Sequence, residues 1–178
     1  DKKHVVENLT LTGSLNGSDI RCIRQMGKLT ALNMKDAYIV EGGAPYYGTF
    51  YTYGNAIGEQ MFYGLSKLAS IVIPSSVTSI GNSAFADCIS LTLAELTSSL
   101  KSVSGYCFSG CTNLSSIIIP EGITDIGGYA FEGCTSLQSV TLPTTLTNID
   151  YSSFSRCTSL KSIILPANLK DINNEAFC

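Results

Sequence analysis

The sequence is poor in the side chains that most catalytic and metal sites need. It has no tryptophan, a single histidine at His4, and only 14% charged residues in 178 positions, against roughly 25% in an average globular protein. It also lacks a glycine-rich phosphate loop, an H-E-x-x-H or G-x-S-x-G motif and a calcium-loop pattern. We therefore expect a protein that is not an enzyme and that needs no cofactor and no metal ion.

Charge and hydropathy exclude two further classes. The formal net charge is -3 and the eleven Lys and Arg residues form no basic patch, so no nucleic acid partner is expected. No apolar run approaches the roughly 20 residues that cross a bilayer, and the N-terminal DKKHVVENL has no apolar signal core. Direct membrane insertion is not expected. An export signal or anchor is removed from mature chains, and the start at Asp1 is compatible with such trimming.

A 23-residue period organises most of the chain. Phenylalanines recur at 23-residue intervals, at Phe62, Phe85, Phe108, Phe131, Phe154 and Phe177. A leucine follows each of the first five by six residues and an apolar pair follows at nine and eleven, as in Leu137, Val140 and Leu142. This L-x-x-I-x-L spacing is typical of the strand of a leucine-rich repeat, whose units have about 20 to 29 residues. Each unit therefore predicts one strand, with alternate side chains in the core.

A turn and a short return follow each predicted strand. Most units have a proline after the strand, at Pro74, Pro120, Pro143 and Pro166, which removes a backbone donor. Four residues before each phenylalanine stands Gly, Ser, Asp or Asn, and these are helix N-cap residue types. We expect a short helical or 3₁₀ turn at this point in each coil.

The N-terminal third repeats more faintly. The strand spacing at 6–11 recurs one period later at 29–34, and residues 18–28 predict a real helix with Ser18 as its N-cap. Leu29 and Leu68 hold equivalent positions but are separated by more than one period, which indicates a 16-residue insertion between them. The whole chain is thus expected to form seven strands.

We expect one domain over residues 1–178. Divergent repeats occupy 1–40, a Tyr/Gly-rich insertion occupies 41–56, and regular repeats occupy 57–178, the last of them truncated. The strand expected at 161–165 would have no polar capping unit, which predicts either a longer native chain or a contact through this C-terminal end.

The repeated phrase I-G-x-x-A-F-x-x-C-x-x-L-x-x-I-x-x-P, clearest over residues 57–178, resembles the BspA-like leucine-rich repeats. The resemblance implies an α/β, right-handed solenoid of about seven coils, with a parallel sheet on its concave face and short helical turns on its convex side. Members of this family are mostly cell-surface or secreted proteins of anaerobic bacteria and some mucosal parasites, and the characterised ones are adhesins. The resemblance therefore implies an extracellular or cell-surface protein and carries over no catalytic residue.

Four cysteines, Cys88, Cys111, Cys134 and Cys157, each follow a core phenylalanine by three residues. Leu65 holds the same position in another unit, so we interpret the column as an inward stack of small apolar side chains with mostly free thiols. Stacked coils place successive thiols about 4.8 Å or more apart in a line. Four sulfurs in a line cannot all come within about 2.3 Å of one zinc ion.

The outward strand positions form the first candidate binding surface. Its candidate residues are Asn33, Val72, Leu93, Glu95, Ile118, Thr141 and Ile164. This face is the usual binding surface of leucine-rich repeat proteins, and apolar residues on an almost uncharged face suit a protein or glycan partner. Alternatively, the β-branched residues are there only because they suit strands.

The insertion is the second candidate surface. Its candidate residues are Tyr46, Tyr47, Phe50, Tyr51 and Tyr53, which glycines flank. Aromatic side chains with a polar tip suit sugar stacking or protein recognition. Alternatively, the segment is a hairpin or loop that covers the flank of the solenoid with its rings buried.

These features together favour an extracellular binding or adhesion module whose partner is a host matrix protein, a microbial surface protein or a glycan. The alternative is a passive spacer within a larger surface protein. Disruption of the strand face separates the two, because only a binding module would lose a partner.

Overall fold

A computed structural model describes residues 2–178. It is a parallel β-solenoid of about seven coils with the repeat length that the sequence predicts. A 3₁₀ helix at Lys2–His4 precedes the coils, and one α-helix, α1, spans Gly17–Arg24. The strands are β1 (Asn8–Leu15), β2 (Ala31–Ile39), β3 (Gly42–Tyr47), β4 (Phe50–Thr52), β5 (Ala56–Ile57), β6 (Ser70–Val72), β7 (Ser79–Ile80), β8 (Leu93–Glu95), β9 (Ser102–Val103), β10 (Ser116–Ile118), β11 (Asp125–Ile126), β12 (Ser139–Thr141), β13 (Asn148–Ile149) and β14 (Asp171–Ile172).

The main row of strands follows the repeat. β1, β2, β6 and β8 pair in parallel in that order, and β10 pairs in parallel with β12. Leu9 lies opposite Leu32, and Leu32 lies opposite Ile71, so the pairing advances by one period and then by one period plus the insertion. The outward side of these strands is called the strand face below.

Six strands, rather than the predicted seven, form in this row. Residues 161–165 form no strand, and Ile164 and Leu165 are 89% and 42% exposed. β12 pairs only with β10, so no ladder bonds hold this segment in the row.

A second row of two-residue strands runs beside the first. β5 pairs with β7, and β9, β11, β13 and β14 form a separate parallel sheet. Each strand supplies one inward apolar residue, and all but the last are buried, at Ile57, Ile80, Val103, Ile126 and Ile149. These residues continue the core from the strand face to the phenylalanine column.

The phenylalanine rings form one continuous stack. Neighbouring centroids are 5.1 to 5.5 Å apart and the rings are within 10° of parallel from Phe62 to Phe177. All are buried except Phe177, which is 42% exposed. The segment from four residues before each phenylalanine to two residues after it is called the phenylalanine turn.

The phenylalanine turns are not the short helices that the N-cap residue types predicted. Across residues 57–178, all of which the structure describes, these segments are hydrogen-bonded turns. The residues two before and two after the phenylalanine have positive φ, as at Tyr129 (+58°) and Gly133 (+70°). The Phe131 N–H donates to the Ser153 carbonyl of the next coil at 2.8 Å, so the backbone bonds between coils rather than along a helix.

Gly81, four residues before Phe85, has a different role from the predicted cap. A Cβ on Gly81 would lie 2.6 Å from the Glu59 backbone nitrogen of the preceding coil. A side chain on Gly81 would force these two coils apart, so close packing between them explains this glycine.

The N-terminal coil returns through α1, as predicted, but Ser18 is not its cap. The Asn16 side chain accepts from the Ser18 N–H at 2.9 Å, and the Asp19 carboxylate accepts from the Asn16 N–H at 2.9 Å. These two bonds form a capping box with Asn16 as the N-cap, so the helix begins at Gly17 rather than after Ser18. The Ser18 hydroxyl instead accepts from the Ala44 N–H at 2.9 Å, which holds the following hairpin against α1.

The insertion forms an antiparallel hairpin. β3 pairs with β4, with Gly42 opposite Thr52 and Tyr47 opposite Phe50, and β3 packs against α1.

No helix in residues 2–178 has the length and hydropathy to cross a membrane.

Candidate binding surfaces

The register of the main row places the predicted strand-face residues in a line. Asn33 lies opposite Val72, Val72 lies opposite Glu95, and Ile118 lies opposite Thr141. Leu93 projects from the same side of β8 as Glu95, two residues away. Ile164 follows Thr141 by one period and lies in the unpaired segment 161–165.

Exposure along this line is uneven. Asn33 and Val72 are half-buried, whereas Glu95 and Thr141 are exposed. The exposed apolar side chains are Leu93 (47%), Ile118 (69%) and Ile164 (89%). Together they form an apolar row on the C-terminal half of the strand face, where Glu95 is the single ionisable candidate residue.

The five aromatic candidates of the hairpin divide into two groups. Tyr46 is 3% exposed and its hydroxyl donates to the Glu59 carbonyl at 2.7 Å, and the half-buried Phe50 stacks on it at 6.3 Å. Burial raises the pKa of the Tyr46 phenol to about 12. Tyr47, Tyr51 and Tyr53 are exposed at 37%, 48% and 63%. The hairpin therefore packs through one pair of rings and presents three others to solvent.

Arg24 is a residue that sequence reasoning did not single out. Its guanidinium donates to the carbonyls of Met61 at 2.9 Å and Gln60 at 3.2 Å, and it lies 4.2 Å from the centroid of the Tyr47 ring. In later coils the carbonyl that corresponds to that of Met61 accepts an N–H of the preceding coil, as Ala84 does from Phe62. Arg24 and Tyr46 therefore cap the first phenylalanine turn. A lone arginine in a helix gives no sequence signal for this role.

A tyrosine column on the outer side of the phenylalanine turns was also missed. The Tyr106 and Tyr129 rings stack at 4.7 Å, and Tyr151 meets Tyr129 edge-on at 5.1 Å. The spacing of Tyr106 and Tyr129 by one period was the available signal. Because the faces of the first two rings lie against each other, we assign this column to packing rather than to ligand stacking.

The structure places the four repeat cysteines in the core as free thiols. Cys88, Cys111, Cys134 and Cys157 are at most 8% exposed. Each Sγ donates to the carbonyl of the phenylalanine one coil earlier, at 3.1 to 3.2 Å. Burial raises the pKa of Cys88 and Cys157 to about 12, which keeps these thiols protonated at neutral pH.

Groups suited to catalysis or metal binding are sparse in the described chain. His4 is exposed on the N-terminal 3₁₀ helix. Within residues 2–178 no three His, Cys, Asp or Glu side chains are grouped to hold a metal ion.

Comparison with known proteins yields a family and several solved structures. Residues 55–178, more than two thirds of the chain, match six copies of the BspA type leucine rich repeat region. No curated protein matches.

Among solved structures, a leucine-rich repeat protein from Eubacterium ventriosum is 29% identical, with a TM-score of 0.63 over 85% of this chain and 34% of its own. A leucine rich cell surface protein from Faecalibacterium prausnitzii is 25% identical, with a TM-score of 0.62 over 89% of this chain and 47% of its own. A T. pallidum leucine rich repeat protein is 26% identical, with a TM-score of 0.51 over 70% of this chain and 68% of its own. The chain thus spans between a third and a half of the first two proteins.

Proposed function

Because the chain belongs to the BspA-type leucine-rich repeat family, we propose that it is the binding module of an extracellular or cell-surface protein and that its strand face binds a protein partner. The repeat fold is generally a non-enzymatic scaffold for protein interactions. The F. prausnitzii relative, described as a cell surface protein, supports the location. We also predict that the coil is right-handed and that the sheet lies on its concave side. A concave strand face would curve around a partner.

The apolar row of Leu93, Ile118 and Ile164 carries this proposal. Water-exposed isoleucines at 69% and 89% gain free energy when a partner covers them, by about 25 cal/mol for each Å² removed from water. The β-branched shape suits a strand, but Thr or Val would serve the strand equally well. The row is also nearly free of charge, which suits the centre of a protein interface.

The test is a binding screen against matrix proteins, microbial surface proteins and glycans. The variant Ile118→Asp with Ile164→Asp places two carboxylates in the row, and we expect roughly tenfold or greater loss of the protein partner because hot-spot substitutions cost about 2 kcal/mol or more. The matched control is Ile89→Asp, since Ile89 is an exposed apolar residue outside the row. Circular dichroism establishes that all variants remain folded.

The outcomes of the screen distinguish the alternatives. A passive spacer would bind no partner, or would bind it equally well in both variants. The hairpin is tested in the same screen with Tyr51→Ala and Tyr53→Ala, whose rings are exposed. If the hairpin variant alone loses the partner, the contact belongs to the insertion and the strand-face proposal is wrong.

A further inference from the structure

A cleft of about 360 Å³ lies between the end of α1 and the β3–β4 hairpin. Arg21, Arg24 and Gln25 line it from the helix side, and Tyr47 lines it from the hairpin. One face of the Arg24 guanidinium rests on Tyr47, and its Nη1 is bound to two backbone carbonyls. These contacts fix the cation in one orientation before any ligand arrives.

The charge of the cleft is one-sided. Arg21 and Arg24 line it and no Asp or Glu does, although the chain has 14 acidic and 11 basic residues. On its other side Arg24 also lines a second cleft, whose one other charged residue is Lys67.

Arg24 is partly desolvated without a counter-ion. Among residues 2–178 no carboxylate lies within 4.0 Å of either Arg21 or Arg24. Burial lowers the pKa of the Arg24 guanidinium, which shows that its charge is less well solvated than in water. The Tyr47 ring and two carbonyls compensate this charge only in part, so an anion in the cleft would gain a preoriented partner.

We propose that this cleft binds the carboxylate-bearing ring of an acidic sugar. Arginine presents paired donors that match a carboxylate. The Tyr47 ring has Arg24 on one face and the tilted Tyr63 ring 6.1 Å away, and its exposed 37% offers an aromatic contact to the sugar's C–H groups. The volume falls in the range of small-molecule sites, roughly 300 to 1,000 Å³.

An acidic peptide fits the cleft less well. Strand addition needs a free strand edge. β3 is paired with β4, and its Ala44 N–H is already bound to Ser18 of α1. The sugar site is independent of the proposed strand-face function, because it lies on the helix and hairpin side of the N-terminal coils.

The test is titration of the purified protein with glucuronate, N-acetylneuraminate, glucose, acetate and a glutamate hexapeptide, followed by NMR or calorimetry. We expect both acidic sugars to bind and glucose to bind at least tenfold more weakly, because glucose lacks the carboxylate that would accept charge-assisted hydrogen bonds from arginine. Arg21→Gln should weaken the acidic sugars by a similar factor. Arg21 is exposed, so this variant should fold even if changes at the capping residue Arg24 do not.

Arg156→Gln is the matched control, since Arg156 is an exposed arginine in a distant coil and should leave sugar binding unchanged. The proposal is overturned if neither acidic sugar binds, if glucose or acetate binds as tightly, if the peptide is preferred, or if Arg21→Gln has no effect. Loss of the strand-face partner in the Ile118 and Ile164 variant would leave acidic-sugar binding intact, so the two proposals fail separately.

Discussion

At the scale of single residues, the repeat cysteine combines two physical roles. Cys134 is fully buried, as a small apolar side chain should be, and its Sγ also donates to the Phe108 carbonyl at 3.2 Å. Leu65 holds this position in the first coil that has a phenylalanine turn. The coil before it returns through α1 and has no phenylalanine turn. The thiol thus fits the space between successive phenylalanine turns and supplies a weak bond between them.

The buried thiols predict that stability falls at alkaline pH. The ordinary thiol pKa is 9.0, whereas burial raises that of Cys88 and Cys157 to about 12. Between these values the unfolded chain releases protons that the folded chain retains, so rising pH favours unfolding. We expect the free energy of unfolding to be flat up to about pH 8 and then to fall, with a slope that approaches about 1.4 kcal/mol per pH unit for each such thiol above the unfolded pKa of 9.0.

Urea unfolding from pH 7 to pH 10.5 measures this effect. Cys134→Ala removes one buried thiol and should make the alkaline slope shallower, whereas Cys178→Ala removes an exposed thiol and should not. A slope that is the same in all three proteins would contradict the assignment.

At the scale of elements, the hairpin covers the first phenylalanine turn. In each phenylalanine turn, N–H groups donate to carbonyls of the turn in the next coil. The first turn has no turn before it, so the corresponding carbonyls would be unpaired. The Tyr46 hydroxyl pairs with the Glu59 carbonyl, and the Arg24 guanidinium pairs with the Met61 carbonyl. The hairpin and α1 together therefore do for the turns what a capping unit does for the ends of other solenoids.

Tyr46→Phe tests this capping role, because it removes the hydroxyl and retains the buried ring. The Glu59 carbonyl would lose its partner, and we expect the free energy of unfolding to fall by about 1 to 3 kcal/mol. The control is Tyr53→Phe, since Tyr53 is 63% exposed and should tolerate the change within about 0.5 kcal/mol. Equal effects in chemical denaturation would show that the Tyr46 bond does not stabilise the fold.

The hairpin also shows where sequence reasoning had to leave alternatives open. The sequence leaves open whether segment 41–56 binds a partner or packs on the solenoid. In the structure Tyr46 and Phe50 pack together, and Tyr51 and Tyr53 are exposed. No periodicity covers this segment, so its side-chain directions depend on contacts with α1 that are distant in sequence. The N-cap prediction failed for a related reason. Asn16 and Ser18 are both good N-cap residue types, and the Ser18 hydroxyl bonds to Ala44, which is distant in sequence, while Asn16 caps the helix.

At the scale of the whole molecule, each coil is stabilised by its contacts with the coils on either side. Each coil packs on its neighbours, and the phenylalanine stack runs through the regular repeats at 5.1 to 5.5 Å. Such a solenoid behaves as a chain of nearest-neighbour interfaces. A defect in the middle should therefore weaken the coupling between the two halves.

Phe131→Ala places that defect in a fully buried ring that stacks on both neighbours. We expect a loss of about 3 to 5 kcal/mol and a broader or divided unfolding transition. Hydrogen exchange should show the C-terminal coils opening before the N-terminal ones. Phe177→Ala, at a ring that is 42% exposed, should cost clearly less and keep a single transition. Uniform loss of protection along the chain in Phe131→Ala would contradict nearest-neighbour coupling.

The sequence by itself determined the coil. Its 23-residue period predicted the inward positions of the core and the register of the six strands in the main row, including Leu32 opposite Ile71, because inward positions of a stacked fold repeat with the coil. The seventh strand that it predicted, at 161–165, does not form. Tertiary structure alone decided how the backbone returns, what caps the first turn and where Arg24 and Tyr47 meet. Those features depend on backbone directions between coils and on contacts between segments that are distant in sequence, as from Arg24 to Tyr47 and to Met61, and such contacts leave no period in the sequence.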